Sequence, residues 1–423
     1  MKKSLLLAAL LPALPTVASE VVTDTIYERA IILSGDPTHP GHIVNLAEMN
    51  SRINKAFEDP ESPRFLFLDK QGKVALGIGG YLKAMGMYDF DGAIDDNSFV
   101  VNKIPVPMNP EQRQRFGATA AYSSIFLKMV AHTSKLGPII VYLQTNFAGD
   151  GGNYGLTLKQ AYVTLGHVTL GKMRSTFCDA PALAPTIDEQ GPVAQTSTKN
   201  MQIQYTSPSY RGFSWGIAVE QPGTSYTLAP ETKSISQRVP DIPAYVQYGW
   251  DGEKSHVRLS GLFRQMNYRS LSGTGKNHFA TGWGARFSTI ASLGGGVSLY
   301  GQCVYGKGIG SYINDLSGEG YDLIADGSDR LKAPGVFGYT VGVKYEPVSR
   351  LLVSATYSGT RLYDAAGLPG DTYRSGQYAV ANIFYTVWGD LRFGLEYLHG
   401  IRKDHDGLSG HANRFAAAAQ YSF

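Results

Sequence analysis

The segment His411–Phe423, HANRFAAAAQYSF, alternates between two kinds of side chain with a period of two residues. One side carries Phe415, Ala417, Ala419, Tyr421 and Phe423, and the other carries Arg414, Ala416, Ala418, Gln420 and Ser422. This is the period of a strand with one apolar and one polar face. A last strand that ends on an aromatic residue is typical of a transmembrane β-barrel, whose apolar face meets lipid. The edge strand of a soluble sheet is the alternative that this segment alone leaves open.

Residues 1–19 have the features of a secretory signal peptide. Lys2 and Lys3 precede the apolar run Leu5–Leu14, and the segment ends in Val17-Ala18-Ser19, small residues suited to cleavage. The run is too short to cross a bilayer as a helix, and no later segment has the roughly 18 uninterrupted apolar residues that a spanning helix needs. We therefore expect an exported chain without transmembrane helices.

The composition favours strands and turns over helices, with 49 Gly and 26 Tyr in 423 residues. Removal of residues 1–19 takes away two lysines and no acidic residue, which leaves 36 basic against 35 acidic side chains. This balance gives no argument for nucleic acid as a partner. The only cysteines, Cys178 and Cys303, have no spacing that argues for a disulfide or a zinc site. We expect no cofactor and no metal.

Residues 20–72 differ from the rest of the chain in the spacing of their apolar residues. They are predicted to form a periplasmic segment that precedes a barrel at 73–423. Heptad spacing of apolar residues predicts a short helix at 43–58. The residues at the apolar positions are Ile43, Leu46, Ile53 and Phe57, with Asn50 at a core position. Pro60 and Pro63 end the pattern. A coiled coil and a short amphipathic helix lying on the barrel both fit it.

From Lys73 onward the chain reads as sixteen strands. They are predicted at 73–89, 112–133, 139–148, 156–165, 168–177, 200–208, 213–221, 242–250, 255–266, 278–290, 296–308, 333–345, 351–360, 375–386, 391–400 and 411–423. Short Gly-, Pro- and Asp-rich turns alternate with mostly long loops. Barrels in the outer membrane have this asymmetry, with short periplasmic turns, long extracellular loops and an even strand number. The fold class is therefore an all-β, sixteen-stranded antiparallel transmembrane barrel.

Several strands show an apolar outward face. Phe213, Trp215, Ile217 and Val219 alternate with Ser214, Gly216, Ala218 and Glu220. Because backbone groups in lipid must all be paired, a spanning sheet has to close. Sixteen strands are expected to enclose a water-filled lumen rather than a packed core.

With the apolar faces outward, the charges left inside are mostly basic. The basic candidates for the pore lining are Lys83, Arg113, Arg115, Lys128, Arg258, Arg264, Arg286, Lys344, Arg392 and Arg414. The acidic candidates are Glu220 and Glu396. Such a lining favours anions and repels cations. The alternative is that inward arginines pair with loop carboxylates and brace the wall, and a phase change near Ser123-Ser124 disturbs the assignment on the second strand.

The third long loop, 178–199, contains Asp179, Asp188 and Glu189. In large porins the loop after the fifth strand folds inward and narrows the pore, so these carboxylates are expected to face the arginine wall across a constriction. A proline-rich external loop is the alternative. The acidic loop 309–332 and the group Asp404, His405, Asp406 and His411 are interpreted as ordinary solvated loops rather than metal sites.

The chain resembles the DcaP-like trimeric outer-membrane porins. The resemblance is carried by Gly79–Lys83 (GGYLK), Leu136-Gly137-Pro138, Leu158–Tyr162 (LKQAY), Ser175-Thr176-Phe177 with Asp179, and the terminal Phe423. It implies a sixteen-stranded barrel, a homotrimer, a periplasmic coiled coil, and diffusion of small anionic solutes such as dicarboxylates. Outer-membrane lipid and lipopolysaccharide are the expected surroundings.

Three functions follow as hypotheses. The leading one is an anion-preferring porin for passive diffusion, without catalysis. An adhesive or structural barrel is the second, and the sequence does not separate it from the first. A barrel enzyme is the third, but no Gly-x-Ser-x-Gly or His-Glu-x-x-His pattern occurs and the nine histidines are scattered.

Overall fold

Alternating apolar and polar residues close the chain into a barrel of antiparallel strands. The computed structural model describes residues 31–34, 63, 65–69, 74–92, 94, 96–133, 137–149, 154–252, 254–365 and 367–423. Each barrel strand pairs with the next, and the last pairs with the first. The predicted sixteen-stranded barrel is confirmed. The signal peptide predicted at 1–19 and the helix predicted at 43–58 lie outside the described residues.

The barrel strands are numbered β1 to β16 in chain order. They are Val74–Asp91 (β1), Arg115–Thr119 with Ser124–Thr133 (β2), Gly137–Ala148 (β3), Tyr154–Leu165 (β4), Val168–Arg174 (β5), Lys199–Thr206 (β6), Phe213–Glu220 (β7), Ile242–Trp250 (β8), Ser255–Ser270 (β9), Lys276–Gly294 (β10), Val297–Lys307 (β11), Gly335–Val348 (β12), Leu351–Tyr363 (β13), Tyr373–Trp388 (β14), Leu391–Asp404 (β15) and Ser409–Ser422 (β16). A further short strand, Thr232–Ser234, pairs with the end of β9, and Tyr226–Thr227, Leu323–Ala325 and Leu331–Lys332 form a separate three-stranded sheet. Among the described residues, no helix is long and apolar enough to cross a membrane.

Most strand edges differ from the prediction by a few residues, and two of the differences change the reading of the chain. The second strand begins at Arg115 rather than 112 and is interrupted between Thr119 and Ser124, where the sequence indicated a phase change. β9 and β10 run on to Ser270 and Lys276, so the loop predicted at 267–277 is a tight turn.

Two short strands in the N-terminal segment extend the sheet, which the sequence did not predict. Ile31–Ser34 pairs in parallel with Phe65–Leu68. Phe65–Leu68 pairs antiparallel with the start of β1, next to Ala75–Ile78. At its end β16 is bonded to β1 through Phe423 and Gly80, whose backbone groups exchange two hydrogen bonds of 2.8 Å. The strand Phe65–Leu68 therefore pairs with the part of β1 that lies beyond the end of β16.

The outer wall carries an apolar band, and loops cover much of the inner wall. On β7, Trp215, Ile217 and Val219 are exposed, whereas Ala218 and Glu220, which have the opposite parity, are buried. An outward band of this kind is what lipid requires. The inner residues are buried because three loops fold into the barrel. We name them L1 (92–114, after β1), L3 (175–198, after β5) and L6 (308–334, after β11).

The three inner loops bond to one another. The backbone N–H of Phe99 in L1 donates to Asp188 in L3 at 2.8 Å, and that of Asn102 in L1 donates to Asp315 in L6 at 3.0 Å. The N–H of Asn314 in L6 donates to the carbonyl of Gln195 in L3 at 2.9 Å. The loops therefore form one body inside the barrel.

Apolar side chains of this body form a core against the wall strands. Phe177, Tyr312, Ile313 and Leu316 pack with Leu262, Val304 and Val336 of the wall, and Ile94, Phe99, Val101, Ile104 and Val193 pack with Tyr378, Val380 and Leu398. Each fully buried side chain of this size contributes about 1.5–3 kcal/mol. The expectation of a lumen without a packed core was wrong for the part of the barrel that L1, L3 and L6 fill.

Candidate functional site: the channel beside the inner loops

An open space of about 300 Å³ remains between L3 and the first strands of the wall. The wall contributes Tyr81, Ser124, Gln144, Asn146, Lys159, Gln160, Arg174 and Lys199, and L6 contributes Asn314. L3 contributes Ala180, Leu183, Ala184, Pro185, Thr186, Asp188, Glu189, Gln190, Gly191, Pro192, Gln195 and Ser197. The space has the volume of a small-molecule site and is lined mainly by polar groups on the wall side.

Three basic residues line this space from three consecutive strands, and the sequence interpretation missed all of them. They are Lys159 on β4, Arg174 on β5 and Lys199 on β6. Arg174 and Lys199 are direct cross-strand partners. The last paired residues of β4 and β5 at this end are Ala161 and Lys172. Continuing the same register by two residues on each strand places Lys159 opposite Arg174. Since neighbouring strands lie about 4.8 Å apart, the three residues form a row roughly 10 Å long.

A β-bulge puts Lys159 on the channel side. The pairing of β3 with β4 shifts between Gln144 and Thr145, whose partners are Gln160 and Leu158. Leu158 before the shift and Val163 after it are both exposed on the outer face. Two residues in succession, Lys159 and Gln160, therefore line the channel. A strict period of two assigns adjacent residues to opposite faces, so it does not predict that both residues line the channel. The only signal in the sequence is the polar pair inside an otherwise alternating strand.

Polar side chains link the wall strands beside the basic row. Gln160 donates to the amide oxygen of Gln144 at 3.0 Å, and Gln144 donates to the hydroxyl of Ser124 at 3.3 Å. Ser124 in turn donates to the carbonyl of Thr145 at 2.8 Å. Such a chain fixes the orientation of its amides, so this part of the wall presents ordered polar groups to a solute.

The carboxylates on the L3 side are already engaged. Glu189 lies 2.9 Å from the ammonium of Lys83. Asp188 is buried and accepts hydrogen bonds from the backbone N–H groups of Phe99, Gln190 and Gly191. Burial is the largest influence on Asp188 and raises its pKa despite these donors. Among the described residues, the side chains of Lys159 and Arg174 have no ion pair or hydrogen bond, so the uncompensated charge at this point of the channel is positive.

Four of the predicted pore-lining cations are instead buried under the inner loops. Lys83, Arg264, Arg286 and Arg414 have almost no exposed surface. Lys83 donates to the carbonyl of Ile187 and pairs with Glu189, and Arg286 donates to the carbonyl of Phe177. Arg264 pairs with Asp241 and Asp322 at 3.0 and 2.9 Å, and Arg414 pairs with Asp89 at 2.6 Å. These four hold loops and their neighbours in place, which corrects the prediction that they line an open pore.

The other predicted cations are partly exposed or lie at the rim. Arg258 donates to the carbonyl of Cys178 at 3.1 Å, and Lys344 pairs with Glu346 at 3.2 Å. Arg392 donates to Thr386, Arg115 donates to the carbonyl of Ile94, and Lys128 is half-buried on β2. Arg113 is exposed in L1, before β2 begins. Contact of these six with a solute stays a prediction.

The two predicted acidic residues of the wall also hold loops. Glu396 accepts from the hydroxyl of Thr186 and from the N–H groups of Ile187 and Asp188, all within 2.9 Å. Glu220 accepts from the N–H of Thr176 at 2.8 Å and from the hydroxyl of Tyr312. Both carboxylates are buried, so they do not face open water.

Asp179 is the buried centre of a polar cluster at the start of L3. It lies 2.9 Å from His256, accepts from Ser288 at 2.5 Å and lies within 4 Å of Arg258 and Arg286. Burial raises its pKa, but Arg258, the hydrogen bond of His256 and Arg286 outweigh burial and hold the pKa well below the usual value. Asp179 thus contacts arginines of the wall directly and anchors L3 to β9 and β10, which corrects the prediction that it faces the arginine wall across an open constriction.

Two acidic residues of L6, Asp315 and Asp322, are buried and engaged with protein groups. Asp315 accepts from the hydroxyl of Tyr373, and Asp322 accepts from Arg264 and the N–H of Ser311. Over the part of the chain that the structure describes, no group of three or more His, Cys, Asp or Glu side chains is arranged to hold a metal ion. Cys178 is a buried free thiol, and Cys303 is a free thiol on the outer face of β11.

Solved outer-membrane barrels share this fold. The outer membrane channel DcaP of Acinetobacter baumannii has a TM-score of 0.72 at 20% identity, over 84% of this chain and 98% of that one. An anion-selective porin from Comamonas acidovorans has a TM-score of 0.54 at 11% identity, over 83% and 100%. OmpF of Salmonella typhi, solved with daunomycin, has a TM-score of 0.53 at 11% identity, over 83% and 98%.

Sequence comparison assigns the family. No curated protein matches the chain. The family model described as DcaP outer membrane protein matches residues 50–327, which is more than half of the chain. This match names the outer membrane, in agreement with a barrel whose outer wall is apolar. The chain belongs to the DcaP outer membrane protein family.

Proposed function

We propose that this protein is an outer-membrane porin that lets small hydrophilic solutes diffuse passively and prefers anions. The observation that carries the proposal is the row of Lys159, Arg174 and Lys199 beside the narrow space left by L3. Positive charge on a narrow, weakly polarisable wall raises the local concentration of anions and repels cations. The proposal involves no catalytic step, because diffusion through a fixed opening needs none.

Dicarboxylates are the solutes that the row fits best. Its basic groups lie on three neighbouring strands and are spread over roughly 10 Å, so two carboxylates of one small molecule can each meet a cation. Arg174 offers a guanidinium fork that can bind two oxygen atoms of one carboxylate. The ordered amides of Gln144 and Gln160 beside it can donate to further oxygen atoms.

Reversal potentials in planar bilayers under a KCl gradient test the anion preference. We expect Lys159→Gln combined with Arg174→Gln to lower the chloride-to-potassium permeability ratio about threefold or more, because two uncompensated charges leave the narrow segment. Lys172→Gln is the control, since Lys172 lies on the same strand as Arg174, does not line the space beside L3, and donates its ammonium to the carbonyl of Leu158. An unchanged ratio in the double variant, or an equal change in the control, contradicts the proposal.

Block of the chloride current tests the dicarboxylate preference. A four-carbon dicarboxylate is expected to reduce the current at a lower concentration than the four-carbon monocarboxylate, and the difference should vanish in the same double variant. Equal block by both acids in the wild type would restrict the proposal to general anion preference.

We also propose that the protein is a homotrimer. The support is a depression of about 580 Å³ on the outer wall across β1, β2, β15 and β16. Most of the residues that line it are alanine or glycine, and the larger ones are Met85, Thr119, Tyr154, Phe393 and Leu395; the small ones are Ala84, Gly86, Ala118, Ala120, Gly394, Ala417, Ala418 and Ala419. Small residues let two walls approach closely within a membrane. The OmpT protein of Vibrio cholerae, solved in a trimer form, shares the fold at a TM-score of 0.50 and 12% identity, over 83% of this chain and 99% of that one.

A further inference from the structure

Five basic residues lie on the outer face of the barrel at the end where the long loops are. They are Lys233, Arg269, Lys307, Arg361 and Lys403, and we call them the outer basic belt. In β11, β13 and β15 the odd-numbered residues face outward, as the exposed Tyr305, Tyr357 and Tyr397 show. Lys307, Arg361 and Lys403 continue these outward faces at the extracellular ends of their strands.

The strand register brings members of the belt together. Arg361 on β13 pairs with Ser375 on β14, and Ser375 pairs with Lys403 on β15. Two strand spacings separate the two cations, so their backbones lie roughly 10 Å apart in one row. Lys233 and Arg269 are direct cross-strand partners. Like charges in directly opposite positions destabilise a sheet, so an anion bound beside this pair would relieve the repulsion.

Few acidic groups of the protein compensate these charges. Asp364 lies 3.6 Å from Lys307, and both side chains remain largely exposed. Glu231 is near the Lys233–Arg269 pair but bonds the hydroxyl of Ser272. Among the described residues, Lys233, Arg269, Arg361 and Lys403 have no ion pair. The belt therefore has net positive charge.

The belt adjoins the lipid-facing band of the wall. Trp283 is the cross-strand partner of Lys307, and Phe337 is the partner of Arg361. The guanidinium of Arg361 lies 5.0 Å from the ring of Tyr363, which fixes its position at the wall. Aromatic residues mark the interface of a membrane barrel, so the belt lies at the level of the headgroups of the outer leaflet.

We propose that the outer basic belt binds the phosphate groups of an anionic glycolipid of the outer leaflet. Phosphate suits the belt because an arginine guanidinium can bind two of its oxygen atoms at once. In addition, each Lys or Arg near the membrane surface strengthens the attraction between the protein and anionic lipid. The apolar band below the belt receives the acyl chains of the same molecule. The partner is therefore a phosphorylated lipid rather than a soluble anion, which has no chains to place there.

Binding of lipid A to the full-length protein in non-ionic detergent tests this proposal. The probes are diphosphorylated lipid A, the same lipid without phosphates, and inorganic phosphate. We expect Arg361→Gln combined with Lys403→Gln to weaken binding of the diphosphorylated lipid about tenfold or more. Lys254→Gln combined with Arg350→Gln, on turns at the opposite end of the barrel, is the matched control and should bind as the wild type does.

Each outcome decides for or against the lipid. Equal affinity of the belt variant and the wild type, an equal loss in the control, or equally tight binding of lipid A without phosphates overturns the proposal. Displacement of the lipid by an equimolar amount of inorganic phosphate assigns the belt to free anions and overturns it too. The chloride-to-potassium permeability ratio of the belt variant should remain that of the wild type, which keeps this test independent of the channel.

Discussion

Lys83 and Lys159 are both lysines of wall strands, but their surroundings differ. Lys83 on β1 bonds the carbonyl of Ile187 and pairs with Glu189 of L3. Lys159 lines the channel, and among the described residues it has no ion pair. Partners on the inner loops, more than strand parity, thus decide whether a basic residue holds a loop or meets a solute.

Asp179 is expected to be the most sensitive single anchor of L3. Asp179→Asn leaves Arg286 and Arg258 buried near a neutral group, and breaking a buried pair costs about 3–5 kcal/mol. We expect a lower unfolding temperature and a larger, noisier single-channel conductance at pH 7. Ser292→Ala, outside this cluster, is the control, and an unchanged conductance in Asp179→Asn would mean that L3 is held by its other contacts.

The same carboxylate predicts a pH dependence with a definite sign. Its pKa is lowered in the folded protein, so its stabilising contribution is fully present above the ordinary Asp pKa near 4 and is lost as the pH falls through the lowered value. The difference in unfolding temperature between the wild type and Asp179→Asn should therefore not shrink between pH 8 and pH 5. It should shrink only below about pH 4, and a difference that shrinks between pH 7 and pH 5 would contradict this assignment.

The inner loops rest on glycines of the wall. A Cβ atom built at Gly394 would lie 2.8 Å from the side chain of Ile187, and one at Gly400 would lie 2.8 Å from Phe99. At Gly338 and Gly284 the nearest atoms belong to Ala194 and Phe177, at 2.8 and 3.0 Å. Wall strands therefore need residues without side chains where L1 and L3 dock.

Gly394→Val is expected to lift the tip of L3. Overpacking of a filled site costs about 1–3 kcal/mol, and Ile187 is displaced because the wall strand is fixed by its neighbours. We expect a higher single-channel conductance in planar bilayers and an intact barrel by circular dichroism. Gly261→Val is the matched control, since a Cβ atom at Gly261 meets nothing within 4 Å. Equal conductance of both variants would argue against docking of L3 at this glycine.

At the scale of the whole molecule, the barrel has two different outer regions. The depression with small residues spans β1, β2, β15 and β16, whereas the outer basic belt extends from β9 to β15 together with Lys233. In the proposed trimer the first region faces the neighbouring subunit and the second faces lipid. The channel space lies beside β1 to β6, so it is close to the proposed interface.

Ala417→Trp is expected to prevent assembly without unfolding the barrel. The indole fills the depression and keeps two walls apart, because close approach in a membrane depends on small side chains. Native electrophoresis in mild detergent should show a shift from trimer to monomer. Val341→Trp is the control, since Val341 is an exposed outward residue on β12, outside the depression. A trimer that persists in Ala417→Trp would place the interface elsewhere.

The sequence by itself determined the barrel, its strand number and the apolar outer wall. The reason is local: lipid outside and water or protein inside impose a period of two on every strand, and the turns between strands need recognisable residues. The strand from His411 to Ser422 shows this pattern without reference to any other part of the chain.

Only the tertiary structure decided what occupies the interior. Asp315 of L6 meets Asn102 of L1, and Glu396 of β15 meets Ile187 of L3, over separations of about two hundred residues that no local pattern reveals. The bulge at Lys159 depends on how β3 pairs with β4, which is likewise a property of two strands together. The inward charges could therefore be counted from the sequence, but their division between loop anchors and channel lining depended on which loops fold onto them.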